Sequence, residues 1–113
     1  MTLTEEIEKT ANILKLLGDK TRLTMMKLLQ VNDCCVCEFV EIFKISQPAV
    51  SQHVRKLRDG GLVRETRRGQ WVHYSLNRDS EHYEFVQHLL NELPSQEGYL
   101  RELEIQGLRI TCD

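Results

Sequence analysis

Residues 46–61 read SQPAVSQHVRKLRDGG and carry the pattern that decides the fold. Ser46 is a favoured helix-capping residue, and Pro48 falls in the first turn, where its missing N–H has no hydrogen bond to lose. Three apolar residues recur at spacings of four and three, as on one face of a helix: Val50, Val54 and Leu57. The glycine pair at residues 60–61 ends the pattern. The stretch therefore predicts a capped amphipathic helix.

The segments on either side of this helix complete a recognisable motif. Residues 36–43, VCEFVEIF, predict a helix of two turns, joined to the next helix by the tight connection 44–46. Apolar residues alternate in segment 62–76, which predicts a β-hairpin with its turn at Arg68-Gly69. Two short helices followed by a hairpin predict a winged helix-turn-helix, with the helix pair at about 36–59 and the wing at about 62–76.

The rest of the chain adds amphipathic helices to this centre. Helical spacing predicts further helices in four segments: about 3–17, 21–29, 83–93 and 99–103. At 113 residues and 13.2 kDa, we expect a single domain over residues 1–113 that is mainly α with a small β-hairpin. Neither a long apolar run nor a basic, apolar leader is present, so we expect a cytoplasmic protein with no membrane partner.

The net charge of −2 conceals two regions of opposite sign. Residues 44–78 contain eight Lys or Arg and two acids, which gives +6, and the remainder holds seven basic and fifteen acidic residues, which gives −8. A basic central segment between acidic segments indicates that one face of the protein contacts a polyanion. We predict DNA contacts from the helix, through Ser46, Gln47, Ser51, Gln52, His53 and Arg55, and from the wing, through Arg67 and Arg68.

Four motifs in this order resemble the arsenic-repressor (ArsR/SmtB) family of bacterial metal-sensing repressors. They are LGDKTRL at 17–23, CVCE at 35–38, SQPAVSQH at 46–53 and GQWVHY at 69–74. The resemblance implies a homodimeric repressor on double-stranded operator DNA, with dimer contacts from the first and last helices and no enzymatic activity. It also implies that the thiolates of Cys35 and Cys37 bind the inducer, with no organic cofactor.

The cysteines carry the chemical part of the prediction. Cys34, Cys35 and Cys37 lie within four residues, and Cys112 is next to last. Such a cluster in a reducing compartment indicates metal binding or redox chemistry rather than a disulfide framework. Thiolates select soft ions, so we expect As(III) or Sb(III), or alternatively Cd(II), Pb(II) or Bi(III). Cys34 or Cys112 would supply a third sulfur.

Helix geometry makes a further prediction about this site. Residues two apart lie about 200° apart around a helix, so Cys35 and Cys37 would meet at one ion only if the first turn unwound. Cys34 and Cys37, three apart, could meet without that change. Unwinding would then displace the neighbouring helix that starts at Ser46, here called the recognition helix because it carries the predicted DNA contacts. That displacement would release DNA.

Three alternatives stay open at this point. The same cysteines could oxidise or carry a persulfide, giving a redox-sensing repressor on the same fold. Relatives that bind Zn(II) on their last helices suggest Asp79, His82 and His88, but the spacing departs from that pattern, and we predict surface residues. An enzyme would need an orienting acid or an oxyanion signature beside Cys37, and neither is found in the sequence.

Overall fold

The computed structural model of the chain describes residues 2–93. In chain order its elements are α1 (Leu3–Leu17), α2 (Lys20–Val31), β1 (Cys34–Cys35), α3 (Val36–Phe43), α4 (Gln47–Asp59), β2 (Val63–Arg68), β3 (Trp71–Leu76) and α5 (Tyr83–Asn91). The predicted winged helix-turn-helix is confirmed, since α3 and α4 form the helix pair and β2 and β3 form the wing. The predicted helix over 99–103 and Cys112 lie outside the described residues.

Side-chain caps fix where three of the helices begin. The Thr2 hydroxyl accepts a hydrogen bond from the backbone N–H of Glu5 at 3.2 Å, and Ser46 accepts one from Ala49 at 3.3 Å, as its sequence position predicted. Asp19 caps α2 by accepting the N–H of Arg22 at 3.0 Å. That hydrogen bond holds the pKa of Asp19 below its ordinary value. Each cap satisfies a backbone N–H that has no partner within the helix.

The wing belongs to a three-stranded antiparallel sheet, ordered β1, β3, β2. The hairpin turns at Gly69, whose φ of +62° favours glycine. The two-residue strand β1 was not predicted. It forms an edge strand that pairs antiparallel with β3, with Cys34 opposite Tyr74 and Cys35 opposite His73. None of the helices in residues 2–93 has both the length and the apolar character needed to cross a membrane.

One core holds the helix pair against the rest of the fold. Its fully buried side chains come from α2, β1, α3, α4 and α5, and include Met25, Leu28, Cys34, Phe39, Val50, Val54, Leu57 and Leu90. The three residues that predicted the inner face of α4 are all in this set. Because that face is buried, the opposite face of α4 is turned to solvent beside the wing.

Candidate nucleic-acid interface and cysteine site

The exposed face of α4 carries most of the predicted DNA-contacting side chains. Gln47, Gln52 and Arg55 are exposed, and Ser51 is half-buried. Lys56 is also exposed and lies one turn after Gln52, so it shares this surface. The prediction omitted Lys56, although its four-residue spacing from Gln52 is visible in the sequence. Arg67 and Arg68 are exposed at the end of β2, next to the hairpin turn.

His53 is placed differently from the prediction. Its side chain is only 24% exposed, and its Nδ1 lies 3.2 Å from Nη1 of Arg22 and 3.9 Å from Oδ2 of Asp19. His53 therefore contacts the start of α2 instead of the surface that would face DNA. The same arginine donates its Nε hydrogen to the carbonyl of Leu16 at 2.7 Å, which ties α4 to the end of α1. The DNA contact of His53 stays a prediction, and it would require this side chain to leave Arg22.

Several cations of the basic segment are already paired with acids. Arg58 contacts Asp59 and Glu65, at 3.4 and 3.1 Å, and Arg64 pairs with Asp79. Lys44 pairs with Glu41 at 3.3 Å. Within residues 2–93, by contrast, no ion pair involves four exposed cations: Arg55, Lys56, Arg67 and Arg68. These four are free to neutralise phosphates, which is the main source of affinity for DNA.

Glu65, on β2, joins the two strands of the wing to the last turn of α4. The hydroxyl of Tyr74, on β3, donates to Oε1 of Glu65 at 2.7 Å, and Arg58 donates to the other carboxylate oxygen of Glu65 at 3.1 Å. Burial and this hydrogen bond raise the pKa of Tyr74 to about 12. Glu65 therefore holds the recognition helix and both strands of the wing in one arrangement.

The ionisation of Tyr74 provides a test of this arrangement. In an alkaline spectrophotometric titration, we expect one of the three tyrosines to ionise near pH 12, and Tyr74→Phe to remove that step. The folded-state pKa lies above the ordinary value of 10.0, so this contribution to stability is present below pH 10 and is lost as the pH rises towards 12. Glu65→Gln should lower the pKa only in part, because burial remains. If Tyr74→Phe leaves the alkaline end of the titration unchanged, the described contact is absent in solution.

The cysteine pair lies where β1 meets α3. Cys35 is the N-cap of α3 and has an extended backbone, with φ −93° and ψ 165°, while Cys37 lies in the first turn. The Glu38 side chain accepts the backbone N–H of Cys35 at 3.2 Å and so fixes the cap. The Cα atoms of Cys35 and Cys37 are 5.4 Å apart, and their sulfurs are joined in a disulfide.

This geometry overturns the prediction that the helix must unwind. The prediction treated Cys35 as helical, but its extended backbone turns its side chain towards that of Cys37. The two sulfurs therefore converge with α3 intact. A single ion could replace the disulfide between them once the pair is reduced.

Cys34 does not join this pair. Successive side chains of a strand point to opposite faces, and Cys34 is fully buried in the core, where its Sγ donates to the carbonyl of Asn32 at 3.5 Å. In the part of the chain that the structure describes, no three His, Cys, Asp or Glu side chains are placed to hold a metal ion together. Cys34 as third ligand stays a prediction that would require β1 to rearrange, and Cys112 lies outside the described residues.

Asp79, His82 and His88 lie on α5 or just before it, and the sequence predicts them to be surface residues. Asp79 pairs with Arg64, and Nε2 of His82 lies 3.3 Å from Oε1 of Glu81. His88 is exposed in the last turn of α5. Among the described residues, these three are not grouped as ligands that could hold one metal ion.

A cavity of about 350 Å³ opens beside the cysteine pair. Its walls come from β1, α3, the first residue of α4, the hairpin turn and the start of β3. The lining is mostly apolar and consists of Cys35, Val36, Cys37, Val40, Glu41, Gln47, Gln70, Trp71 and Val72. The cavity beside the cysteine pair is thus bounded by α4, through Gln47, and by the wing, through Gln70, Trp71 and Val72.

Comparison with known proteins agrees with this architecture. Residues 19–65 match the family described as bacterial regulatory protein, arsR family. The uncharacterized HTH-type transcriptional regulator MJ1325 of Methanocaldococcus jannaschii is 40% identical over 76 residues, which cover 66% of this chain and 85% of that protein. The arsenical resistance operon repressor of Escherichia coli is 39% identical over 66 residues, which cover 58% of this chain and 56% of the repressor.

Solved structures show the same fold. Reduced HlyU from Vibrio cholerae superposes with a TM-score of 0.70 at 29% identity, over 80% of this chain and 94% of that one. The homodimeric winged helix-turn-helix DNA-binding domain Mb0332 from Mycobacterium bovis gives 0.66 at 22% identity, over 79% of this chain and 78% of that one, a likeness of fold alone. The chain therefore belongs to the arsR family of bacterial regulatory proteins and is a transcriptional repressor, not an enzyme.

Proposed function

We propose that this protein is a cytoplasmic, homodimeric repressor that leaves its operator when the reduced Cys35 and Cys37 bind As(III) or Sb(III). One observation carries the proposal. The cavity beside the two sulfurs is also lined by Gln47, the first residue of the recognition helix, and by Trp71, the first residue of the returning wing strand. An ion at the pair is thus in reach of both DNA-contacting elements.

The donor set fits a thiophilic ion. Two thiolates on a short backbone span suit soft ions, and they are poor ligands for Mg(II) or Mn(II). Glu38 fixes the position of Cys35, and the first turn of α3 fixes that of Cys37. The two side chains therefore lose little conformational freedom on binding an ion. Cd(II), Pb(II) and Bi(III) are alternative thiophilic ions for the same two sulfurs.

The coupling to DNA follows from linkage. A ligand changes DNA affinity only if it binds the DNA-bound and free arrangements differently. The wall of the cavity is shared by α3, α4 and β3, so an ion that needs a different spacing of these elements favours one arrangement over the other. Couplings of about 1–3 kcal/mol are typical of such systems.

The direct test is a titration of reduced protein on labelled operator DNA. Sodium arsenite should release the DNA in the presence of a phosphine reductant, while Mg(II) and Mn(II) should not. Absorption in the ultraviolet from sulfur-to-arsenic bonds should appear over the same concentration range. Release by arsenite without any spectral change at the thiols would contradict the proposal.

The DNA-contacting residues make a separate prediction. Arg67→Ala or Arg68→Ala should weaken binding to every sequence alike and flatten the slope of log affinity against log salt by about one unit, as loss of a phosphate contact does. Gln52→Ala should instead reduce discrimination between operator and random DNA.

Fluorescence anisotropy with operator and scrambled duplexes, each at several salt concentrations, separates these effects. His53→Gln serves as the control on α4, because His53 contacts Arg22 and not the exposed face. If Gln52→Ala leaves the ratio of operator to random affinity unchanged while His53→Gln lowers it, the surface that contacts the bases is misassigned.

A second candidate function rests on the disulfide itself. Cys35 and Cys37 are joined in this structure, so the chain can hold an oxidised form without rearranging α3. A redox-sensing repressor would use that oxidation as its signal. Hydrogen peroxide should then release operator DNA in the absence of arsenic, and the phosphine reductant should restore binding. An inducer-binding repressor would be released by arsenite in excess reductant.

A further inference from the structure

Arg22, on α2, links the recognition helix to the end of α1. Its Nε donates to the carbonyl of Leu16, in the last turn of α1, at 2.7 Å, and its Nη1 lies 3.2 Å from Nδ1 of His53, on α4. The same end of α1 meets α4 a second time, because a Cβ at Gly60, the C-cap of α4, would overlap Cδ1 of Leu16. These two contacts fix the position of α4 relative to α1.

The contact between Arg22 and His53 requires a neutral imidazole. A guanidinium is permanently charged and only donates hydrogen bonds, so Nδ1 of His53 must accept, and the ring carries its hydrogen on Nε2. A protonated ring could not accept from Arg22. Its Nδ1 hydrogen would instead turn to the carboxylate of Asp19, whose Oδ2 lies 3.9 Å away. Gaining a proton would thus exchange one partner for the other and move the ring.

Among the described residues, the charged groups that face His53 come from α2 and the turn before it, and they are Arg22 and Asp19. The recognition helix also packs against α3 and β2, whose charged side chains lie elsewhere. The acids contact other partners: Glu38 the backbone of Cys35, Glu41 Lys44, and Glu65 Arg58 and Tyr74. Of the cations on β2, Arg64 pairs with Asp79, and Arg67 and Arg68 are exposed near the hairpin turn.

We infer that Arg22 is a positioning residue for operator recognition, which sets the placement of α4 relative to α1 by donating to neutral His53. The inference concerns the DNA-bound state rather than the inducer, and it rests on the operator-binding dimer of the proposed function. Two recognition helices must reach half-sites about 34–36 Å apart. Because α1 carries the predicted dimer contacts, a shift of α4 relative to α1 changes the separation of the two helices. Binding to random DNA depends mainly on phosphate contacts and should change much less.

The test measures affinity for operator and scrambled duplexes by fluorescence anisotropy at about pH 7.5 and about pH 5.5, which span the range where histidine gains a proton. Arg22→Lys keeps the charge, but a single ammonium lacks the fixed fork of donors that reaches both Leu16 and His53. At the higher pH it should lower the ratio of operator to random affinity by about fivefold or more, the lower end of typical couplings between sites. Its affinity for random DNA and its salt slope should stay those of the wild type.

The pH dependence separates positioning from a general effect on folding. Acidification should lower the same ratio in the wild type, because protonated His53 cannot accept from Arg22. His53→Gln is the conservative variant, since its amide oxygen can accept from Arg22 and does not titrate, and its ratio should be that of the wild type at the higher pH and stay constant in acid. His53→Leu has no acceptor and should show a low ratio at both pH values. His88→Gln is the matched control, because it removes an exposed histidine of α5 and should keep the pH dependence of the wild type.

The inference is overturned if the ratio falls in acid to the same extent in His53→Gln as in the wild type, or if folded Arg22→Lys keeps the wild-type ratio. Should Arg22→Lys fail to fold, the comparison of the wild type with His53→Gln decides. Tighter binding of both duplexes in acid at a constant ratio would assign His53 to a phosphate and would also overturn it. These outcomes leave the proposed function standing. A wild-type protein without preference for operator at either pH would contradict the proposed function, and the inference with it.

Discussion

Cys35→Ser and Cys37→Ser are each expected to hold operator DNA at arsenite concentrations that release the wild-type protein. A hydroxyl is a poor ligand for a soft ion, so each variant retains only one effective donor. The ratio of operator affinities without and with arsenite should stay near one, against ratios of about 5 to 150 for typical allosteric couplings. Operator affinity without arsenite should be close to that of the wild type, because neither residue belongs to the exposed face of α4 or to the wing tip.

Cys34→Ser is the matched control for these variants. It makes the same substitution at the neighbouring residue, whose side chain is directed into the core. A serine hydroxyl can donate to the carbonyl of Asn32 as the thiol does, so the variant should fold and should remain inducible. Anisotropy titrations of operator DNA with arsenite, run side by side on the three variants, make the comparison.

Two outcomes would contradict the assignment of the site. If Cys34→Ser loses part of the response along with the other two, three sulfurs of the cluster hold the ion, and β1 must rearrange to allow it. If Cys35→Ser and Cys37→Ser stay fully inducible while Cys112→Ser does not, the site lies in residues 94–113. The role assigned to the cavity would then be wrong.

The helices and the wing could be predicted because each has a local pattern. The cap at Ser46 and the buried positions Val50, Val54 and Leu57 are found in the structure, and the segment after residue 62 forms the two strands of the wing. These signals arise within a few residues of one another, so the chain order of the winged helix-turn-helix is available from the sequence.

The details of the cysteine site depend on contacts that are distant in the sequence. β1 is only two residues long and exists because Cys34 and Cys35 pair with Tyr74 and His73 on β3. A two-residue strand has no periodicity to detect, so the sequence predicts helical geometry at Cys35. Helical geometry at Cys35 would let Cys34 and Cys37 meet. The extended backbone instead brings Cys35 and Cys37 together and leaves Cys34 in the core.

The contact of His53, on α4, also depends on a residue that is distant in the sequence. His53 lies at the border between the buried and the exposed faces, three residues after Val50 and one before Val54. Its side chain turns inward because Arg22, on α2, is there to meet it. In the same way Glu65, on the wing, pairs with Arg58 and reduces the cationic charge of α4. Only the tertiary structure brings these partners together.

Ile7→Glu should convert the protein to a monomer and lower operator affinity by about a hundredfold or more, because a dimer that contacts two half-sites gains from their linkage. The physical reason is an apolar stripe on α1. Leu3, Ile7 and Leu14 are 73%, 60% and 48% exposed, and they lie on one side of the helix. A stripe of large apolar side chains left open to water favours burial against a second copy.

Asn12→Glu is the control, since it introduces the same charge at an exposed position on the opposite side of α1. Sedimentation at micromolar concentration should give a dimer for the wild type and Asn12→Glu, and a monomer for Ile7→Glu. Operator titrations should show two protomers per site for the first two proteins and weak one-to-one binding for the third. If Ile7→Glu sediments as a dimer with undiminished operator affinity, the stripe on α1 is not the dimer contact. A wild-type protein that is already monomeric and binds one-to-one would contradict the homodimeric repressor itself.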